Sequence, residues 1–243
     1  KLDYETPLFG PPWSLPMEFP VYQTCVAALC YGFGLPLESA GRATSILFLL
    51  LTLPAVYQLA GIFKLSPSRR LLVVAAVISS PVYLFYGRTF MMETTALCFS
   101  TWFLLGIGFT SRDVNYRWSL VATVAGGLAA LAKVTTFAVF CFPAGGLALW
   151  LAWPRLFGGE RNVVNWLKTS LLCAIPVIIS LSVGSWWVSY ADAIKDSNPY
   201  SGFLTSTQMV KWNWGTFDQR FSLEFWAAVW SNVTQFVISE HAM

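Results

Sequence analysis

An all-α fold that crosses a membrane several times follows from three observations. Apolar residues make up 56% of the 243-residue chain and charged residues only 11%, against roughly 25% charged in soluble domains. Several apolar runs exceed the ~18 residues that mark a membrane span. The Lys and Arg residues gather on short loops between those runs. The net charge of +3 says little by itself, because in such a chain placement matters more than the sum.

The same composition excludes other classes. There is no Gly-rich phosphate loop, no nucleic-acid signature, no internal repeat and no low-complexity segment. The five cysteines, Cys25, Cys30, Cys98, Cys141 and Cys173, lie in apolar surroundings without CxxC spacing, which suits buried free thiols. The single histidine, His241, leaves no His-rich zinc centre in this piece. Residue 1 is Lys with no leader before the first loop, so the chain reads as a piece of something longer.

Taken in order, residues 1–40 form an extracytoplasmic loop, rich in Pro and Gly over 1–20. Within it, residues 21–33 are apolar but too short to cross a ~30 Å core, so an interfacial helix is expected. Residues 41–190 are the transmembrane domain, with about six spans. The first covers 41–63 and ends at the basic loop Lys64-Leu-Ser-Pro-Ser-Arg-Arg70. Residues 71–86 run back, and 90–109 cross again. Trp118 to Trp153 is nearly unbroken apolar sequence. As one helix its ~36 residues would reach ~54 Å, too long for one crossing. Lys133-Val-Thr-Thr136 sits near its middle, so a tight turn and two spans are expected there. Residues 171–190 form a further span. Residues 191–243 are mixed and aromatic, an extracytoplasmic loop and the start of a following segment.

Orientation follows from the basic loops. Lys64, Arg69, Arg70, Arg112, Arg117, Arg155, Arg161 and Lys168 hold eight of the fifteen Lys and Arg residues. They share one face only if the chain turns at Lys133, and the positive-inside rule makes that face cytoplasmic. Glu18, Arg42, Arg88, Glu93 and Lys133 then fall on the opposite, extracytoplasmic face, where they could converge on one cleft.

A charge beside hydrocarbon costs at least ~2.5–3.5 kcal/mol and by default marks a functional site. Arg88 and Lys133 at a membrane surface would suit a phosphate whose lipid tail lies in the bilayer. Arg supplies a planar donor fork and Lys a mobile point charge. Glu18 stands between Pro16 and Pro20, which fix the backbone around it. Such a carboxylate could bind a metal ion, hold a sugar hydroxyl or act as a base. Glu93 could orient the phosphate-binding Arg or a substrate hydroxyl, or simply favour a helix N-terminus. Arg88 and Glu93 are five apart, ~140° around a helix, so each is free for a different partner. Trp186, Trp187 and Tyr190 suit an interfacial aromatic belt. Trp212, Trp214, Trp226 and Trp230 suit interfacial packing or stacking on sugar faces.

Several short motifs occur in a telling order: Met17-Glu-Phe-Pro-Val-Tyr-Gln23, Gly41-Arg42, Tyr86-Gly-Arg-Thr-Phe-Met-Met-Glu93, Leu131-Ala-Lys-Val-Thr-Thr136 with Pro143, and Ser185-Trp-Trp-Val-Ser-Tyr190. Together they resemble the C-type membrane glycosyltransferases (GT-C fold), closest to the aminoarabinose transferase and protein O-mannosyltransferase group. That resemblance implies transfer of a sugar from a polyprenyl-phosphate donor to a glycan, lipid or protein acceptor, with no nucleic-acid partner. It implies a bacterial inner membrane with the active site facing the periplasm or exterior. By the same resemblance Lys133 and Arg88 hold the carrier phosphate, with Arg220 as a second phosphate ligand, and Glu18 and Glu93 line the sugar and acceptor site. The family places a key Asp near the end of its first span, upstream of this piece. Some relatives hold a metal with a His of the later loop. Lys211-Trp-Asn-Trp-Gly215 has none, so no metal ligand is assigned and a divalent ion stays open as cofactor. The rival classes are a transporter or flippase for a lipid-linked or small solute, and a non-catalytic membrane subunit. Transporters place polar groups near the midplane, often in repeated halves, whereas these charges gather at one face.

Overall fold

The computed structural model describes residues 15–157, 163–198 and 200–235. Among them, ten α-helices and one 3-10 turn form, and no strand. They run α1 (Val21–Phe33), α2 (Leu37–Ile62), α3 (Pro67–Ile78), α4 (Pro81–Arg88), α5 (Glu93–Asp113), α6 (Tyr116–Phe157), α7 (Val163–Ser197), α8 (Val210–Trp214), α9 (Phe217–Phe221) and α10 (Leu223–Thr234). Four helices are long and apolar enough to cross a membrane, five if the bent pair α3–α4 counts as one. The chain divides into two units. The larger holds Glu18–Ser79 and Tyr83–Trp187, and the smaller holds Val188–Met243 with short pieces from 1–17 and 80–82.

In the larger unit α5 is the innermost span, 72% buried against at most 39% for the other candidates. Its inner faces are small: Ala96, Ser100, Gly106, Gly108, Thr110 and Ser111 are all buried. Small side chains let helices approach closely where lipid gives no hydrophobic drive. A Cβ added at Gly106 would stand 2.8 Å from that of Ala122. The outward faces of the other spans stay apolar, as at Leu50 and Phe142, which suits a hydrocarbon solvent.

The long helix α6 is two arms, 116–132 and 134–157. Lys133 has φ −164° and ψ 94°, an extended conformation that interrupts the helix. The contacts show that the chain turns back there. Gly106 of α5 abuts the Trp118 carbonyl and Ala122 of the first arm, and Gly108, two residues on, abuts Leu147 of the second. A straight helix would separate residues 118 and 147 by ~44 Å. Phe103 likewise touches both arms, at Gly126 and edge-on to Phe137 at 4.9 Å. α7 runs parallel to the first arm: Ser119 donates to the Leu172 carbonyl at 2.7 Å, Gly126 abuts Ser180, and Gly184 abuts Ala130. An expectation of six spans corresponds to counting the two arms separately and α3–α4 as one.

Other boundaries differ from the sequence reading. The span expected over 71–86 is two helices bent by 60°. Pro81 has no N–H to continue the ladder and disfavours the α region at Ser80, while Ser79 turns its hydroxyl back onto the Ala75 carbonyl at 2.8 Å. α2 begins at Leu37, inside the stretch read as loop, because Glu38 and Arg42 form an i,i+4 pair at 2.6 Å that supports its first turn. α7 extends past both ends of the expected span, from Val163 to Ser197.

Candidate functional site

The site begins with the backbone of Lys133. Ending the first arm leaves its last carbonyls without intrahelical donors. One of them, on Leu131, accepts the Phe19 amide at 3.1 Å. Phe19 also sets its ring edge-on against Trp187 at 4.9 Å. The segment that carries Glu18 is thereby pinned beside the corner. Glu18 is half-buried and has no ion-pair partner among the described residues.

The Lys133 ammonium donates to Glu93 Oε1 at 2.9 Å, with about a third of each side chain exposed. Glu93 is the first residue of α5, where the helix dipole favours an anion. The residue assigned to the carrier phosphate and one of the assigned acids are thus partners. An ammonium has three N–H donors, so the pair leaves two for a ligand.

A third element closes on this corner. The buried Tyr22 hydroxyl of α1 lies 2.8 Å from the Gly41 carbonyl and 2.9 Å from Ser45 Oγ. Ser45 Oγ in turn lies 3.1 Å from the Met91 carbonyl, two residues before Glu93. Two hydroxyl protons serve these three contacts, so they cannot all be made at once. The Tyr22 phenol is raised above its ordinary value by burial first, opposed by the Ser45 hydrogen bond and reinforced by the charge of Glu93. It therefore works as a neutral donor that braces α1, α2 and the turn before Glu93.

The remaining expected residues are placed less tightly. Arg88 ends α4 and is exposed, with no ion-pair partner among the described residues. Five residues of chain tie it within ~18 Å of Glu93. Arg42 is taken by Glu38. Arg220 belongs to the smaller unit, where its Nε donates to the Trp214 carbonyl at 2.5 Å. Trp187, expected in an aromatic belt, is only 2% exposed and packs inward; Trp186 is exposed. Asp3 and His241 lie outside the described residues. Among the described residues no three His, Cys, Asp or Glu side chains gather closely enough to hold a metal, and Glu93 is already engaged. The described residues alone therefore supply no metal-ligand set.

The smaller unit contains a polar cluster that the sequence reading passed over. Asp192 accepts the Ser206 amide at 3.0 Å and the Ser206 hydroxyl at 2.5 Å. The Lys195 ammonium lies 3.6 Å from Asp192, with its side chain only 8% exposed. Ser201 donates to the Lys195 carbonyl at 2.8 Å. The available signal was the i,i+3 spacing of Asp192 and Lys195 just beyond an apolar run.

No protein-family model, curated protein or solved structure matches this chain.

Proposed function

We propose that this chain is the sugar-transferring part of a membrane glycosyltransferase that uses a polyprenyl-phosphate-linked donor and acts on the extracytoplasmic side. The observation that supports it most is the corner at Lys133. A helix reversal presents an ammonium at one end of the helical bundle, next to a carboxylate and a pinned loop bearing a second carboxylate. A lipid phosphate needs a cation at the level where its tail enters the bilayer. A sugar and its acceptor need carboxylates beside that cation.

In this reading the acceptor attacks the anomeric carbon as the bond to the carrier phosphate breaks. Lys133 stabilises the charge growing on the departing phosphate, with Arg88 as the second cation. Glu93 holds the ammonium in place and leaves two donors free. Glu18 takes the acceptor proton or binds a sugar hydroxyl. The corner aligns the partners. The acceptor is a glycan, lipid or protein, and the setting is a bacterial inner membrane.

The test is transfer from a polyprenyl-phosphate sugar donor by the full-length protein in liposomes. Lys133→Ala should abolish nearly all turnover, and Glu18→Gln should lower it strongly without loss of folded protein. Near-normal rates in both would overturn the reading. The carrier or flippase alternative would instead show donor lipid changing leaflet with no sugar released.

A further inference from the structure

No residue of α10 is buried, yet its two faces differ in kind. At ~100° per residue, Leu223, Phe225, Trp226, Val229, Trp230 and Val233 fall within ~160° of arc. Glu224, Ser231 and Asn232 fall on the other side. Leu223 is 87% exposed and Trp230 71%. α9 adds Phe217 and Phe221, both exposed, with rings 5.2 Å apart.

The polar atoms around this surface are engaged within the chain. Trp226 Nε1 donates to the Arg220 carbonyl at 2.6 Å, and Arg220 Nε donates to the Trp214 carbonyl. These bonds tie α8, α9 and α10 in series. Thr216 caps α9 and Ser222 caps α10. Thr234 returns its hydroxyl to the Trp230 carbonyl at 2.9 Å. What faces outward is hydrocarbon and ring.

Position follows from α7. Between Lys168 and Asp192 that helix carries no charge, and the interval is ~36 Å at helical rise, enough for a ~30 Å hydrocarbon core. Asp192 therefore marks one membrane boundary. The Ser206 amide donates to Asp192 at 3.0 Å, and the Ser201 hydroxyl donates to the Lys195 carbonyl at 2.8 Å. Both contacts hold 198–206 at that boundary. α8 starts at Val210, so four residues of chain keep it within ~14 Å of Ser206.

An amphipathic helix beside a bilayer lays its apolar face into the headgroup–acyl boundary, and Trp suits that level. Lys211, Asp218, Arg220 and Glu224 are the charges of residues 210–235, and they cancel. Apolar insertion, rather than attraction to anionic lipid, therefore supplies the binding. We propose that α10 lies flat in the membrane interface at the Asp192 end of α7, with Leu223, Trp226 and Trp230 in lipid and Asn232 in water. The partner is the bilayer surface, and the inference does not depend on the sugar-transfer reading.

The experiment uses the full-length protein in phosphatidylcholine liposomes. A nitroxide is attached through a ketone-bearing residue in place of Leu223, Trp230 or Asn232, which leaves the five cysteines untouched. All three positions are exposed, so the label fits the fold. Relaxation by oxygen and by a water-soluble nickel chelate reads its depth. Labels at 223 and 230 should lie ~5–10 Å into the interface, and the label at 232 should lie in water. Added phosphatidylglycerol should change neither. Equal contact with the nickel chelate at 230 and 232 would overturn the proposal, as would depth that appears only with phosphatidylglycerol. So would depth at all three positions, the mark of a crossing helix, or a label at 230 closed to both reagents, the mark of a protein partner.

Discussion

Lys133 and Lys195 each face a carboxylate, yet the two pairs are built in opposite ways. Lys133 reaches Glu93 across 40 residues of sequence, and a helix reversal and a helix N-terminus bring them together at 2.9 Å. Both side chains keep about a third of their surface open. Lys195 and Asp192 are neighbours on one helix, 3.6 Å apart, and the lysine is 8% exposed. Asp192 spends its remaining acceptor capacity on Ser206. The first pair is open with donors to spare, as a ligand site requires. The second is closed on its own backbone, as a brace requires. Burial and spare donors, rather than charge alone, separate the two roles.

Four substitutions separate an open ligand-binding pair from a closed brace. Lys133→Ala should cut sugar transfer by about 100- to 1,000-fold, the loss typical of one preorganised donor at a developing charge. Lys195→Ala should leave transfer within about twofold per folded molecule but remove about 1–2 kcal/mol of stability, because a largely covered carboxylate loses its counter-ion; thermal unfolding in detergent reads this. A large transfer defect in Lys195→Ala, with unfolding unchanged, would reverse the assignments. Tyr22→Phe should cost about 1 kcal/mol, the net worth of a hydrogen bond. The phenol is favoured in its neutral form in the folded state, so its contribution is full below the ordinary tyrosine value of about 10 and is lost as pH rises beyond it. The phenylalanine variant should lack that alkaline loss. Glu93→Gln should change stability least, by under about 1 kcal/mol, as expected of a solvent-screened pair.

Much of this could be read before any fold was known, and the reasons are physical. The Trp118–Trp153 run is too long for one crossing, so a break was required, and the single cation in it marked the place. The apolar runs located the spans because hydrocarbon is an unforgiving solvent. Pairing was harder to read. The spacing of Arg88 and Glu93 leaves each free for a different partner but names none, and the partner of Glu93 comes from the far side of the reversal. Trp187 looked interfacial because its neighbours are aromatic, but Phe19 from another element covers it. The cluster around Lys195 is hidden in the sequence because Ser201 and Ser206 fold back onto it, and neither periodicity nor composition reports a return of the chain. The break in 71–86 is marked by Ser80-Pro81, but the apolar run that continues through it conceals the bend.

The hydrogen bond from Phe19 to Leu131 gears two parts of the chain together. Anything that prises the hairpin tip outward, or draws it in around a guest, must either snap that link or haul the neighbouring acid along. Glu18 and Lys133 are therefore coupled mechanically, and a guest that moves one repositions the other.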